Sequence, residues 1–181
     1  MIRYRRHGRF HGTLRGLARL SRSDSGQGIA EFALSIPIIL IILLGMVEFS
    51  HAYDRVHGIA GLSREGANIA ARGTGMGEVL STVMANGETL KVPARGGAIV
   101  SRLVVQDGTP VVMAQLATDG YDDKSKVKDS DEVAAWITDA GFAEGSTHYT
   151  VEVFLAYQPI TPLGRMFDAV APSLLYERAV F

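Results

Sequence analysis

Cysteine is absent from all 181 residues. Disulfide staples and thiolate metal sites are therefore excluded. The absence fits any redox compartment. The familiar catalytic signatures are missing too: no G-x-S-x-G, Walker A loop, dinucleotide fingerprint or H-E-x-x-H occurs. Tryptophan occurs once and proline six times, and the twenty glycines follow no collagen period. At 47% hydrophobic residues the chain is too apolar to be disordered. Its length suits one ordinary domain.

Acids are almost lacking from the first 26 residues. Asp24 stands there against seven arginines (Arg3, Arg5, Arg6, Arg9, Arg15, Arg19 and Arg22), a net charge of +6. The rest of the chain holds eleven bases and eighteen acids, a net charge of -7. A basic tail ahead of an acidic body suggests nucleic-acid binding or membrane topology. Its position directly before an apolar run favours topology and phospholipid attraction, and no nucleic-acid partner is expected.

That run is Phe32–Val47, FALSIPIILIILLGMV, sixteen residues without a charge, closed by Glu31 and Glu48. Extended to Gly28–Tyr53 it spans roughly 39 Å as a helix, enough to cross a bilayer with some tilt. Two other readings compete. A buried core helix requires a larger body around it, because Ile38–Leu44 is apolar on every face. A removable secretory signal fits the basic start, but no small-x-small cleavage site follows Val47. A retained span is the expectation, with its basic end in the cytoplasm. Pro37 lies inside it, and a bend near residues 33–37 is expected.

Glu31 opens the apolar run, where a carboxylate is costly unless it sits at headgroup level or is paired. Upstream the chain reads Ser25-Gly26-Gln27-Gly28-Ile29-Ala30-Glu31-Phe32. A cut after Gly26 would make Gln27 the new N-terminus and Glu31 the fifth residue. Basic leader, Gly, four residues, Glu, aromatic and apolar helix together resemble the class III signal of type IV pilin-like proteins. The longer stretch GQGIAEFALSIPIILIILLGMVEFSHAYDRVHGIAGLSREGANIAARG resembles the TadE-like family, pseudopilins of tight-adherence (Flp) pilus systems. The likeness is tight over residues 25–73 and weak beyond. Tyr157-Gln158-Pro159-Ile160-Thr161-Pro162 is similar to a C-terminal stretch of that family.

The resemblance implies several things. An inner-membrane prepilin peptidase cuts between Gly26 and Gln27, and Glu31 with Phe32 serves assembly. The carboxylate is proposed in such fibres to pair with the terminal amine of a neighbouring subunit. Such a pair sets register more than it adds stability. Partners would be the peptidase, sibling pseudopilins, the assembly platform and inner-membrane lipids, with a periplasmic C-terminal domain that joins a pilus and catalyses nothing. The alternative is a signal-anchored periplasmic domain with binding or enzymatic activity. A major pilin is disfavoured because the distal part is too large for the Flp shaft.

The expected architecture is α+β and type IV pilin-like. A leader (1–26) precedes a transmembrane helix (27–53), a periplasmic helical stem (54–73) and a periplasmic α+β domain (74–181). Val56, Ile59, Ala60, Ser63, Ala67 and Ala70 recur at helical spacing along the stem. Gly58, Gly61 and Gly66 make its surface small, suited to close approach by the chain's own sheet or a neighbour. Gly73-Thr74-Gly75 should stop it. A loop with a short helix near 77–85 follows. Strands are expected at 98–106, 109–117, 147–157 and in LLYERAVF at the end, with Asp107-Gly108 as a hairpin turn. In the third strand Thr150, Glu152 and Phe154 face one way, and Val151, Val153 and Leu155 the other. Residues 119–132 read as a solvated charged loop whose spacing does not match a calcium-binding EF-hand. Asp129 and Glu132 resemble a capping box opening a helix that buries Val133, Trp136 and Ile137.

Few groups could converge for catalysis. His51, Asp54 and His57 follow one another at intervals of three, which suggests a metal pair or a base with its orienter. Six residues between two histidines is a poor match to helical metal ligation, so interfacial side chains are the expectation. His148 has no evident partner. Glu48 reads as a headgroup anchor on the periplasmic side rather than a subunit-pairing group. No metal and no cofactor are expected.

Overall fold

A computed structural model describes residues 24–127, 142–166 and 173–181. The leader before Asp24 and the expected helix at 129–140 lie outside them. The chain divides into two compact units, Met1–Met46 and Val47–Phe181. Helix α1, Asp24–Ala71, supplies residues to both.

In the first unit the described chain is helical from Asp24 onward, and the helical assignment continues through Pro37. Ile38, Ile39, Leu40, Ile41, Ile42 and Leu43 are each between 49 and 61% exposed. Six consecutive positions turn through about 600°, so no face of this stretch is covered. An all-apolar helix with no covered face is stable in lipid and not in water. It is long and apolar enough to cross a membrane, and on that ground it is a membrane anchor.

In the second unit the remainder of α1 packs against a four-stranded sheet. Ile59, Leu62, Ala67 and Ala70 are buried there beside Val100, Val151 and Val153. Gly66 matters at this contact. A Cβ on it would stand 2.6 Å from Val83 Cγ2 and 3.2 Å from Val151 Cγ1, so only a bare backbone fits. The small surface of the stem is thus used by the chain's own distal part. Gly61, by contrast, faces open space. The helix stops where Gly73 adopts φ +94°, with its N–H bonded to the Ala70 carbonyl at 3.0 Å.

Helix α2, Met76–Asn86, buries Val79 and Val83 in the same core. A four-residue helix α3, Val92–Arg95, follows. Strands β1 (Gly96–Gln106), β2 (Thr109–Ala117), β3 (Thr147–Ala156) and β4 (Leu174–Val180) form a sheet ordered β2-β1-β3-β4, antiparallel throughout. A five-residue helix α4, Pro162–Met166, lies between β3 and β4. The β1–β2 hairpin turns at Asp107 (φ 51°) and Gly108 (φ 71°), the positive values a two-residue turn requires. Glu144 caps it, accepting the Asp107 N–H at 2.8 Å and the Gly108 N–H at 3.1 Å.

The α+β expectation therefore holds, and all four expected strands are present, within two residues of their expected bounds. One expectation fails. The loop after β2 is not simply solvated, because its first half covers the second face of the sheet. Tyr121 lies 5.5 Å from the Phe154 ring, and Ser125 and Val127 are buried. Asp119, Asp122, Asp123 and Lys124 point outward from the same stretch. Both faces of β3 are consequently buried from Thr150 to Leu155.

Candidate functional site

Gly26, Gln27, Glu31 and Phe32 occupy the opening turns of α1, and all four are exposed. A helix brings residues four apart onto one face. Gln27 uses this, its Nε2 donating to Glu31 Oε1 at 2.9 Å. Ser35 Oγ donates to the Glu31 main-chain carbonyl at 2.9 Å. Phe32 projects outward at 65% exposure, with Ile29 similarly bare at 71%. Residues 27 and 31 are thus brought together. An amine created at Gln27 would lie about one turn from the Glu31 carboxylate. The Gly26–Gln27 bond lies within the helical assignment, so cutting it requires the first turn to open, which costs little at a fraying end.

Two carboxylates in the second unit are held in ways the sequence reading missed. Glu48, expected as a headgroup anchor, is instead clasped by the segment that leaves β3. Tyr157 OH donates to its Oε1 in a short hydrogen bond. Thr161 donates twice to its Oε2, from the backbone N–H at 2.9 Å and from Oγ1 at 2.6 Å. The Ile160 N–H adds a longer bond of 3.3 Å. Thr161 Oγ1 also accepts from the Gly164 N–H at 2.9 Å, which fixes the start of α4. Gly164 has to be glycine, since a Cβ there would run into the Glu48 carboxylate. Burial, then the hydrogen bond and negative charge of Glu48, push the Tyr157 hydroxyl above its ordinary pKa of 10.0. The phenol therefore remains a donor well into alkaline solution.

Glu152 is the second. It is 0% exposed on the face of β3 that the loop covers. Ser125 Oγ donates to its Oε2 at 2.6 Å, and the Lys126 N–H and Tyr176 OH donate to its Oε1 at 2.8 and 2.9 Å. A buried carboxylate is tolerable when its lone pairs are filled in this way. Burial first, then the Glu152 charge, raise the Tyr176 pKa despite the opposing effect of Arg178. The arrangement pins loop to sheet and leaves no room for a substrate.

The histidines are engaged with rings. His51 lies 5.9 Å from Tyr157, and His57 lies 4.1 Å from Tyr53. Among the described residues, no three His, Asp or Glu side chains converge on a metal position. His148, expected to lack a partner, is engaged by Ser146 Oγ at 2.9 Å and by the Phe142 ring at 3.9 Å. Burial lowers its pKa.

No hydrogen-bond signal in the local sequence could have joined Glu48 to Tyr157 and Thr161, which lie over a hundred residues away. The alternation of β3 did place Glu152 on one face, but not what covers that face.

Residues 26–68 match the family described as TadE-like protein. The resemblance read from residues 25–73 is borne out over that span, which begins at Gly26 and ends inside the stem. The match associates the chain with the tight-adherence (Flp) pilus system, whose TadE-like members are pilus components. No curated protein and no solved structure matches the chain.

Proposed function

We propose that this TadE-like chain is a minor pseudopilin, cleaved between Gly26 and Gln27 by a prepilin peptidase and then used in assembling a tight-adherence pilus at the inner membrane. The observation that carries the reading is the TadE-like segment at residues 26–68, lying on a helix whose apolar stretch Ile38–Leu43 is uncovered on every side. Seven arginines ahead of the span hold the leader in the cytoplasm. The sheet domain then lies in the periplasm. We place the exit of the helix from lipid at Val47, ahead of the residue 53 that hydropathy suggests, because the next residue, Glu48, is clasped by the sheet domain.

Each residue of the signal has a physical task. Gly26 brings no side chain into a crowded active site. Cleavage leaves an ammonium on Gln27. Glu31, one turn along, supplies the anion, either to its own terminus or to that of a neighbouring subunit. In a low-dielectric setting this choice specifies register between helices. Phe32 and Ile29 offer apolar surface to the same neighbour. The partners in this account are the peptidase, sibling pseudopilins and the assembly platform.

Substitution of Gly26 by a bulkier residue tests the account. Blocked maturation leaves a precursor larger by 26 of 181 residues, roughly 3 kDa of the 19.5 kDa total. Normal processing of such a variant refutes the cleavage. Glu31→Ala is expected to leave membrane insertion intact and to impair incorporation. Unchanged pilus output from that variant removes the carboxylate from assembly.

A further inference from the structure

Beside the Glu48 clasp, wholly within the second unit, lies a cleft of about 350 Å³. Arg55, Lys91, Arg95 and Arg165 line it together with His51 and Tyr157, and among the described residues no Asp or Glu does. The body of the protein after residue 26 carries a net charge of -7, with only eleven Lys and Arg. Four of those eleven meet in one concavity that comes from three separate parts of the chain: the stem, the two ends of α3, and α4. Like charges repel, and a protein gains nothing in stability by gathering them. Among the described residues, none of the four side chains is engaged in a hydrogen bond or ion pair. Lys91 adds a second anomaly. Its backbone is left-handed, φ 64° and ψ 29°, a conformation disfavoured for a lysine.

The cleft also has a defined position along the helix. His51 and Arg55 follow the last apolar residue, Val47, by four and eight positions. At 1.5 Å per residue these are steps of about 6 and 12 Å. The polar headgroup layer is about 5–8 Å thick on each side of the hydrocarbon core. Helical side chains lean toward the N-terminus, here toward the membrane, and a long arginine extends that reach. On this count His51 lies within the headgroup layer, and the Arg55 side chain, one turn beyond it, reaches back toward lipid phosphates.

We propose that this cleft binds a phosphate-bearing anion, supplied in the membrane by the headgroup of an anionic phospholipid. Guanidinium groups match phosphate oxygens through paired N–H donors, and the lysine adds a point charge. Tyr157, on the cleft wall, is also a Glu48 donor. A bound headgroup therefore touches the same residue that fixes the helix to the sheet domain. The proposal rests on the membrane anchor and is independent of cleavage at Gly26.

The test uses the full chain in a neutral detergent. The probes are a short-chain phosphatidylglycerol, the phosphatidylcholine with the same acyl chains, and inorganic phosphate. Amide resonances of Lys91, Arg95 and Tyr157 report binding. Phosphatidylglycerol is expected to saturate one site, phosphatidylcholine to leave these amides in place, and inorganic phosphate to bind at least tenfold more weakly. The double variant Lys91→Gln, Arg95→Gln should weaken phosphatidylglycerol binding at least tenfold, whereas Arg64→Gln, on the exposed stem, should not. An unaltered thermal midpoint shows that the double variant is folded; if it is not, Arg165→Gln alone takes its place with a several-fold loss expected. Inorganic phosphate binding as tightly as the lipid overturns the lipid source and leaves a free-anion site. Equal binding of phosphatidylcholine, an unaffected double variant, or binding of an acidic peptide where neither phosphate compound binds overturns the proposal.

Discussion

Replacing Glu48 by alanine removes the acceptor for Tyr157 OH, the Thr161 N–H and Oγ1, and the Ile160 N–H at one stroke. Hydrogen bonds to a charged group contribute about 1.5–3 kcal/mol each when water is excluded. Glu48 is half-exposed and Ile160 exposed, so water replaces part of what is lost. Thr161 is buried, so its N–H and hydroxyl, left without their acceptor, bear a desolvation cost. A net destabilisation of about 2–3 kcal/mol follows for the sheet domain. In a domain of this size that lowers the thermal midpoint by about 6–12 °C. The informative version is a double-mutant cycle with Tyr157→Phe, which deletes one donor and leaves the ring in place. Near-ultraviolet circular dichroism of the full chain in neutral detergent follows loss of tertiary packing while the membrane helix persists. A coupling of about 1 kcal/mol between the two sites is expected. Strict additivity would show that the two groups do not interact in solution, and the clasp would then play no part in fixing α1 to the exit of β3.

Three further outcomes follow from the packing. Gly66→Val drives a branched side chain into Val83 and Val151, and a loss of about 2–3 kcal/mol should be seen in denaturant titration; a neutral result would mean that the stem is not seated on the sheet. Glu152→Ala strands the Lys126 N–H and the hydroxyls of Ser125 and Tyr176, at a cost of about 3 kcal/mol, and should raise amide exchange in residues 121–127 before it affects α2. Tyr157 and Tyr176 have folded-state pKa values above the usual 10.0, so their contribution to stability is intact below pH 10 and is lost as pH rises further. Absorbance at the phenolate band should show these two hydroxyls ionising only above pH 10 and together with unfolding, and their ionisation without loss of tertiary packing would contradict the burial.

Much of the architecture was legible because it rests on local rules. Period-two alternation located β3, the Asp107-Gly108 pair joined β1 to β2 and supplied the positive φ of the hairpin, and Gly73 ended the stem where a left-handed residue was needed. Spacing and resemblance together single out Gly26, Gln27, Glu31 and Phe32, and the fold brings Gln27 and Glu31 onto one helix face. What escaped was long-range and polar. Glu48 and Glu152 satisfy their charge through hydroxyls and backbone N–H groups, which leave no mark of complementary charge in the sequence. The stretch after β2 misled for a related reason: its acids face water, whereas Tyr121, Ser125 and Val127, interleaved among them, face the sheet. The basic cleft was invisible because its four cations are scattered between residues 55 and 165 and meet only in the fold.

Cleavage between Gly26 and Gln27, which would give the apolar helix a new terminus, is the central proposal. Intact mass and N-terminal peptide analysis of the protein recovered from membranes, with and without an active prepilin peptidase, measures it directly. A mature chain beginning at Gln27, and seen only when the peptidase is active, is the predicted result. A chain beginning at Met1 in both strains, or at any residue beyond Leu44, would contradict it.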